Sequence, residues 1–310
     1  MGKIAFIYPG QGAQKVGMGL DFYETFAAAK SIYDQAEEAL GMDLKGICFE
    51  ENDKIHRTEY TQPVLVTTCL AMTEVLKDEG IEPDLTAGLS LGEYAALALT
   101  GAMDAMTAIQ LVGKRGKFME EAVPNGEGTM CAILGLNIDK ILSVVESYKR
   151  VSIANYNCPG QVVITGARHE VEDAAANLKE AGARRTLMLN VSGPFHSAYM
   201  EPAGEALKKE IEKIEFADLK IPYLANVTGD LVRDKNQIGP LLCKGVSSSV
   251  KWQQSMENMI LEGVDTFVEI GPGKTLAGFM KKINPGIPVL NVSKVEDVDQ
   301  TVTALRNLRA

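Results

Sequence analysis

One five-residue stretch constrains this chain more than any other: Gly88-Leu89-Ser90-Leu91-Gly92, a G-x-S-x-G pattern. Its flanks decide its meaning. Pro83-Asp84 breaks the chain before it, Leu85-Thr86-Ala87 reads as a short apolar strand, and Tyr94-Ala-Ala-Leu-Ala-Leu99 opens a helix. A serine on a strand-to-helix turn is forced into a tight bend that lifts its hydroxyl towards a substrate. Glycines on either side have no Cβ, so strand and helix can approach closely. The following helix N-terminus offers N–H groups and partial positive charge to an oxyanion. The bare pattern also occurs as an ordinary glycine-rich turn, so the strand before and the helix after carry the reading.

The strand-turn-helix unit implies an α/β fold with a parallel sheet, and 310 residues suffice for one large domain or a large one with a smaller insert. Ile4-Ala-Phe-Ile-Tyr8 has the unbroken apolar character of a buried parallel strand, and Pro9-Gly-Gln-Gly-Ala-Gln14 ends it. No Gly-Lys-Ser/Thr follows, so this loop is not a phosphate loop; it is either a tight strand exit or a donor of a backbone N–H. Residues from about 21 to 51 read as helical with a stop at Gly41, and Thr61-Gln62-Pro63 predicts a helix start with proline in the first turn. Asp104-Ala-Met starts a helix that carries Lys114, Arg115, Lys117, Phe118 and Met119.

After Pro124-Asn-Gly-Glu-Gly128 the pattern changes. A strand at 129–134, a helix from 139 to about 148, strands at 151–155 and 161–165 around a Pro-Gly turn, a helix at 169–181 and a strand at 185–189 follow in order. That β-α-β-β-α-β succession is ferredoxin-like and predicts a small inserted domain over 128–190, within a large domain made of 1–127 and 191–310. Further strands are expected at 222–226, 266–270 and 288–292.

Charge and cysteine content narrow the function. Thirty-one basic residues against 41 acidic ones leave a net charge of −10, which argues against nucleic acid as a partner. The five cysteines are scattered without C-x-x-C spacing and fit reduced thiols in a cytoplasm better than disulfides or zinc ligands. The N-terminal apolar run is too short for a signal peptide, and no stretch is of membrane-spanning length.

A serine nucleophile needs a base, and the chain has three histidines. His56 and His169 lie in polar, solvated contexts. His196 lies in Gly193-Pro-Phe-His-Ser197, a stiff loop returning from the small domain, and is the candidate general base and acid. No Asp or Glu between Ser90 and His196 stands in a recognisable motif; a backbone carbonyl could orient the imidazole instead. Arg115 is either one of three solvated basic residues or a buried fork for a substrate carboxylate, which arginine grips bidentately.

Six spaced motifs together, Gly10-Gln-Gly-Ala-Gln14, Thr61-Gln-Pro63, Gly88 to Tyr94, Arg115-Gly116 with Met119, Gly193 to Ser197 and Glu269-Ile-Gly-Pro-Gly273, make the whole chain resemble the malonyl-CoA:acyl carrier protein transacylases of bacterial fatty acid synthesis. The resemblance implies an α/β-hydrolase-like large domain with an inserted ferredoxin-like one. It implies Ser90 as the acylated nucleophile, His196 as its base, the N–H groups of Gln11 and Leu91 as the oxyanion hole, and Arg115 as partner of the malonyl carboxylate. Asn157, Gln62, Met119 and Phe195 match substrate-side positions. The family orients its histidine through a main-chain carbonyl; here the matching stretch is Gly245 to Trp252, with Gly245 where a glutamine is usual and Ser249 where a proline is usual. Malonyl-CoA and acyl carrier protein are the implied partners, a monomer is expected, and no metal or other cofactor is implied. A polyketide-synthase acyltransferase and a serine esterase are the alternatives. Both partners are anionic and the chain is acidic, so basic residues must gather at the site mouth; Lys114, Lys117, Arg184, Arg185, Lys281 and Lys282 are the candidates.

Overall fold

The computed structural model describes residues 2–124 and 126–309. Among the described residues ten strands form two sheets: β1 (Lys3–Tyr8), β2 (Leu85–Gly88), β3 (Gly128–Leu134), β4 (Val151–Cys158), β5 (Gln161–Ala167), β6 (Arg185–Met188), β7 (Tyr223–Leu224), β8 (Leu231–Val232), β9 (Val264–Ile270) and β10 (Val289–Val292). The larger sheet runs β10-β9-β1-β2-β7-β8 and is parallel except for the β7–β8 hairpin at its edge. Its central strand explains the unbroken apolar run. Ile4, Phe6 and Tyr8 face one core and Ala5 and Ile7 another, so both faces of β1 are covered. Ile4, Phe6 and Ile7 each contribute about 1.5–3 kcal/mol by leaving water.

Helices cover both faces. The region 21–51 forms three helices, Leu20–Thr25, Ala27–Leu40 and Leu44–Phe49. They are separated where Phe26 is extended and where Gly41 turns left-handed at φ 61°. The next helix runs Thr58–Asp78, so the expectation that Pro63 sits in a first turn is corrected: the Thr61 N–H already bonds the Arg57 carbonyl at 2.8 Å, and proline lies inside the helix. The polar turn Thr58-Glu59-Tyr60 has no apolar periodicity to announce it. This helix is buried along most of its length and packs on the helix Ala105–Glu121. A Cβ on Gly116 would meet the Thr58 carbonyl oxygen at 2.7 Å, which is why glycine follows Arg115 where the two helices touch.

The smaller sheet is antiparallel in the order β4-β5-β3-β6. Alternation in β3 gives it two uses. Cys131 and Ile133 pack on the helices Ile138–Val145 and Arg168–Glu180, while Met130 and Ala132 turn towards the larger core. The unit has the strand order of a ferredoxin-like fold, and its uncovered face closes over the carboxyl ends of β1 and β2. Open α/β sheets bind ligands outside the carboxyl ends of their strands.

Candidate active site

Ser90 stands in the short turn between the end of β2 at Gly88 and the helix Gly92–Thr100. Both flanking glycines are required by packing: a Cβ on Gly88 would lie 1.9 Å from the Gly92 carbonyl carbon, and one on Gly92 would lie 2.4 Å from the Tyr8 carbonyl oxygen. The turn closes so tightly that Ser90 has φ 51°. Among described non-glycine residues only one other has positive φ, and it is His196 at 59°. Such conformations cost on the order of 1–3 kcal/mol and persist where surrounding structure over-determines them.

The two residues meet. Ser90 Oγ lies 2.7 Å from His196 Nε2. On the other side of the ring, Nδ1 lies 3.0 Å from the Gly245 carbonyl oxygen and 3.1 Å from that of Ser248. Two carbonyl acceptors fix the tautomer with the proton on Nδ1, leaving Nε2 to accept from the serine. Among the described residues no carboxylate bonds the imidazole. Burial, and then the Arg115 charge, push the His196 pKa down to about 4, against the opposing effect of the two carbonyls. The imidazole is therefore neutral at neutral pH and able to take a proton.

The loop that carries these carbonyls is held by the small sheet. Val250 and β4 exchange backbone bonds, Tyr156 N–H to the Val250 carbonyl at 2.9 Å and Val250 N–H to the Ala154 carbonyl at 2.8 Å, and Ser249 Oγ donates to the Ile153 carbonyl at 2.6 Å. Ser249 thus ties the loop to β4 through its side chain.

Arg115 is 3% exposed, whereas Lys114 and Lys117 point outward and pair with Glu210 and Glu121. Its guanidinium sits 5.5 Å from the centre of the Tyr94 ring and donates from Nη2 to Ser90 Oγ at 3.3 Å. It makes no ion pair among the described residues, and its Nε has no partner. A buried guanidinium that forms no ion pair among the described residues is poised for an anion, because an unpaired buried cation carries a large solvation penalty. Asn157 Oδ1 and Gln62 Oε1 are likewise buried and unpartnered.

A cavity of about 210 Å³ opens beside the pair. Ser90, His196, Gln11, Arg115, Met119, Asn157 and Phe195 all line it; Leu91, Gln62 and Gly245 do not. Gln62 lies behind Met119, its Nε2 3.5 Å from the sulfur. Leu91 is fully buried with its backbone at the start of the helix. Neither the Gln11 nor the Leu91 N–H has an acceptor among the described residues. Gly10 lies against Leu89, where a Cβ would approach the Leu89 carbonyl oxygen to 2.6 Å, so the two free N–H groups flank one turn. Met130, Ala132 and Val163 of the small sheet supply the apolar wall. A larger hollow of about 900 Å³ lies between the helices Glu201–Ile211 and Ile238–Gly245, and holds no nucleophile–base pair.

Tyr94, Ser248 and Asn155 also belong to the site and were not singled out from sequence. Tyr94 immediately follows the G-x-S-x-G-E stretch, and its place on the helix face below Ser90 is a signal that helical spacing offers. Ser248 lies within the Gly245 to Trp252 stretch, but only Gly245 in that stretch was expected to face the imidazole. Glu269, which looks like a motif residue, does structural work: its carboxylate accepts from the Leu276 and Ala277 N–H groups at 3.0 and 2.8 Å and caps the helix Thr275–Ile283, whose Thr275 and Phe279 line the cavity.

Comparison with known proteins agrees with this geometry. The family model described as acyl transferase domain matches residues 5–293. The chain is similar to the malonyl CoA-acyl carrier protein transacylase of Bacillus subtilis (strain 168), 43% identical over 99% of this chain and 98% of that one. The crystal structure of the malonyl CoA-acyl carrier protein transacylase from Clostridium perfringens superposes with a TM-score of 0.95 at 41% identity, covering 99% and 98% of the two chains. A malonyl-transacylase solved in complex with a type II PKS acyl-carrier protein gives a TM-score of 0.95 at 36% identity, covering 97% and 99%. The chain belongs to the acyl transferase family and, within it, to the malonyl CoA-acyl carrier protein transacylases.

Proposed function

We propose that this enzyme transfers the malonyl group of malonyl-CoA to the phosphopantetheine thiol of an acyl carrier protein in fatty acid biosynthesis, through a malonyl ester on Ser90. The observation that carries the reading is a buried, unpaired guanidinium 3.3 Å from a serine that is itself 2.7 Å from a histidine. A plain esterase pocket has no need of that cation. In the first half-reaction Arg115 grips the malonyl carboxylate while the neutral imidazole takes the Ser90 proton and Oγ attacks the thioester carbonyl. The oxyanion sits between the Gln11 and Leu91 N–H groups. The tetrahedral intermediate collapses, His196 returns the proton to the departing sulfur, and coenzyme A leaves. The carrier thiol then attacks the ester by the reverse route. Asn157, Gln62, Met119 and Phe195 shape the acyl pocket, and Gly245, with Ser248, orients the imidazole.

The same reading divides the chain into a catalytic unit of residues 1–127 and 191–310 and a covering unit of 128–190. It places the reaction in the cytoplasm, by a monomer; no described helix is long and apolar enough to cross a membrane. Intact-protein mass spectrometry tests it. Mixing with malonyl-CoA is expected to add one malonyl group, and adding holo carrier protein to remove it. Ser90→Ala should show neither change; an adduct that persists in this variant overturns the nucleophile assignment.

A further inference from the structure

Beyond the nucleophile and its base, the elbow depends on a side chain from a distant strand. We infer that Asn226 is a positioning residue, whose carboxamide clamps the strained nucleophile turn and removes the Ser90 N–H from the pool of oxyanion donors. The inference rests on the reading of Ser90 as nucleophile. β7 pairs in parallel with β2 in the register Thr86 to Tyr223 and Ala87 to Leu224, so the residue two beyond β7 stands beside the turn that ends β2. Asn226 is 3% exposed. Its Nδ2 donates to the Gly88 carbonyl at 2.7 Å, and its Oδ1 accepts from the Ser90 N–H at 2.7 Å. A carboxamide of this length carries a donor and an acceptor side by side, which is what two backbone groups of opposite sense two residues apart require.

The clamp is anchored from behind. The Asn226 N–H donates to Glu93 Oε1 at 3.2 Å, and its carbonyl accepts from the Lys251 N–H at 2.8 Å. Glu93 stands in the first turn of the helix after the elbow, and its own N–H bonds the Ser90 carbonyl at 3.2 Å. A closed loop of bonds therefore runs from Gly88 through Asn226 and Glu93 back to Ser90. It over-determines the left-handed Ser90 backbone. It also has a chemical consequence. A serine N–H committed to Oδ1 cannot turn to the substrate oxygen, which leaves that work to the Leu91 and Gln11 N–H groups, both without acceptors.

Two variants test this against the Ser90→Ala control, by rapid-quench measurement of the malonyl-enzyme with folding followed by circular dichroism. Asn226→Ala is expected to slow acylation about tenfold to a hundredfold, the cost of a nucleophile displaced by about an ångström. KM for malonyl-CoA should stay within about twofold, because Arg115 and the cavity are untouched. Asn226→Asp separates positioning from bulk: the introduced carboxyl copies the amide when protonated, and when ionised sets a negative charge against the Gly88 carbonyl. Its acylation rate relative to the wild type should rise as pH falls from about 8 to about 5. Glu93, Tyr94, Arg115, His196, Tyr223 and Lys251 surround the site in both proteins, so the ratio sets their shared titration aside. Acylation by a folded Asn226→Ala protein within about twofold of wild type, or a pH-independent ratio for Asn226→Asp, overturns the inference. If Asn226→Ala does not fold, the Asn226→Asp ratio decides alone. Labelling of Ser90→Ala is a separate failure, of the nucleophile itself.

Discussion

At the scale of single residues, the proposed transfer rests on Arg115 for specificity and His196 for proton transfer. Arg115 is buried with no ion pair among the described residues and with its Nε unpartnered, so a carboxylate bound there would complete an ion pair in a closed site. Arg115→Ala is expected to lower malonyl transfer by two orders of magnitude or more, the scale of about 3–5 kcal/mol for breaking a buried pair. Acetyl transfer should fall little or rise, and Arg115→Lys should recover only part of the malonyl activity, for want of a second parallel donor. Equal losses for both acyl groups would make Arg115 structural. His196 sets the pH response. With its pKa lowered to about 4 by burial and the Arg115 charge, the acid limb of kcat/KM for acylation should lie well below 6.5, the ordinary histidine value. Arg115→Ala removes the second cause, so the limb should move upward in that variant when measured with acetyl-CoA. A limb near 6.5 in the wild type would contradict the buried, neutral imidazole. Glu93 works in the opposite direction: burial raises its pKa from 4.5 to about 8. Between those values the folded state keeps a proton that the unfolded chain releases, so this group lowers stability as pH rises. Glu93→Gln keeps an acceptor for the Asn226 N–H, and its gain in Tm over wild type should grow from about pH 5 to about pH 8.

At the scale of elements, the site is assembled where two sheets meet. β1 and β2 deliver the Gln11 loop and the elbow, and β7 delivers Asn226 beside them. The imidazole's orientation comes from elsewhere, through a loop zipped to β4. That ties the small sheet to the histidine, because the segment that follows the Ser248 carbonyl is bonded to β4. Ser249→Ala removes the 2.6 Å bond to the Ile153 carbonyl. It is expected to cost about 1 kcal/mol of loop anchoring and slow acylation severalfold, without changing the preference for malonyl over acetyl. Steady-state kinetics on both acyl donors check this; a changed preference would mean that the loop shapes the acyl pocket itself.

At the scale of the whole molecule, an acidic chain must receive an acidic carrier, and the fold gathers basic residues at one corner. Leu134 is paired with Gln161 on one side and Arg185 on the other, so these three lie across one end of the small sheet. Lys282 reaches Gln161 with its ammonium at 3.3 Å, and Gln161 lines the cavity. Lys179 donates to the neighbouring Arg184 carbonyl. Lys114 and Lys117 are engaged by carboxylates on another helix face. The corner of Arg184, Arg185 and Lys282 is thus the better docking candidate. Reversing Arg185 and Lys282 together to glutamate should slow transfer from preloaded malonyl-enzyme to carrier protein, more at low salt than at high. Transfer to free pantetheine should change little. Equal loss with both acceptors would place the damage in the site.

The linear sequence by itself determined the elbow, the parallel strands around it, the β-α-β-β-α-β succession and the likeness to a family of acyltransferases. Each is written in a few adjacent residues or in the order of short segments, where periodicity and backbone chemistry act locally. It left open whether Arg115 was solvated, because three basic residues in four look alike until a second helix packs on one of them. It misplaced the start of the helix containing Pro63, because the preceding turn is polar. The resemblance pointed to the Gly245 carbonyl for His196 Nδ1, but only the tertiary structure added that of Ser248, 52 residues further along the chain, and brought Asn226, 136 residues from Ser90, to the elbow. Those contacts depend on the register of β7 against β2 and of one loop against β4. Register between segments far apart in sequence is settled by which faces bury together, and no local pattern records it.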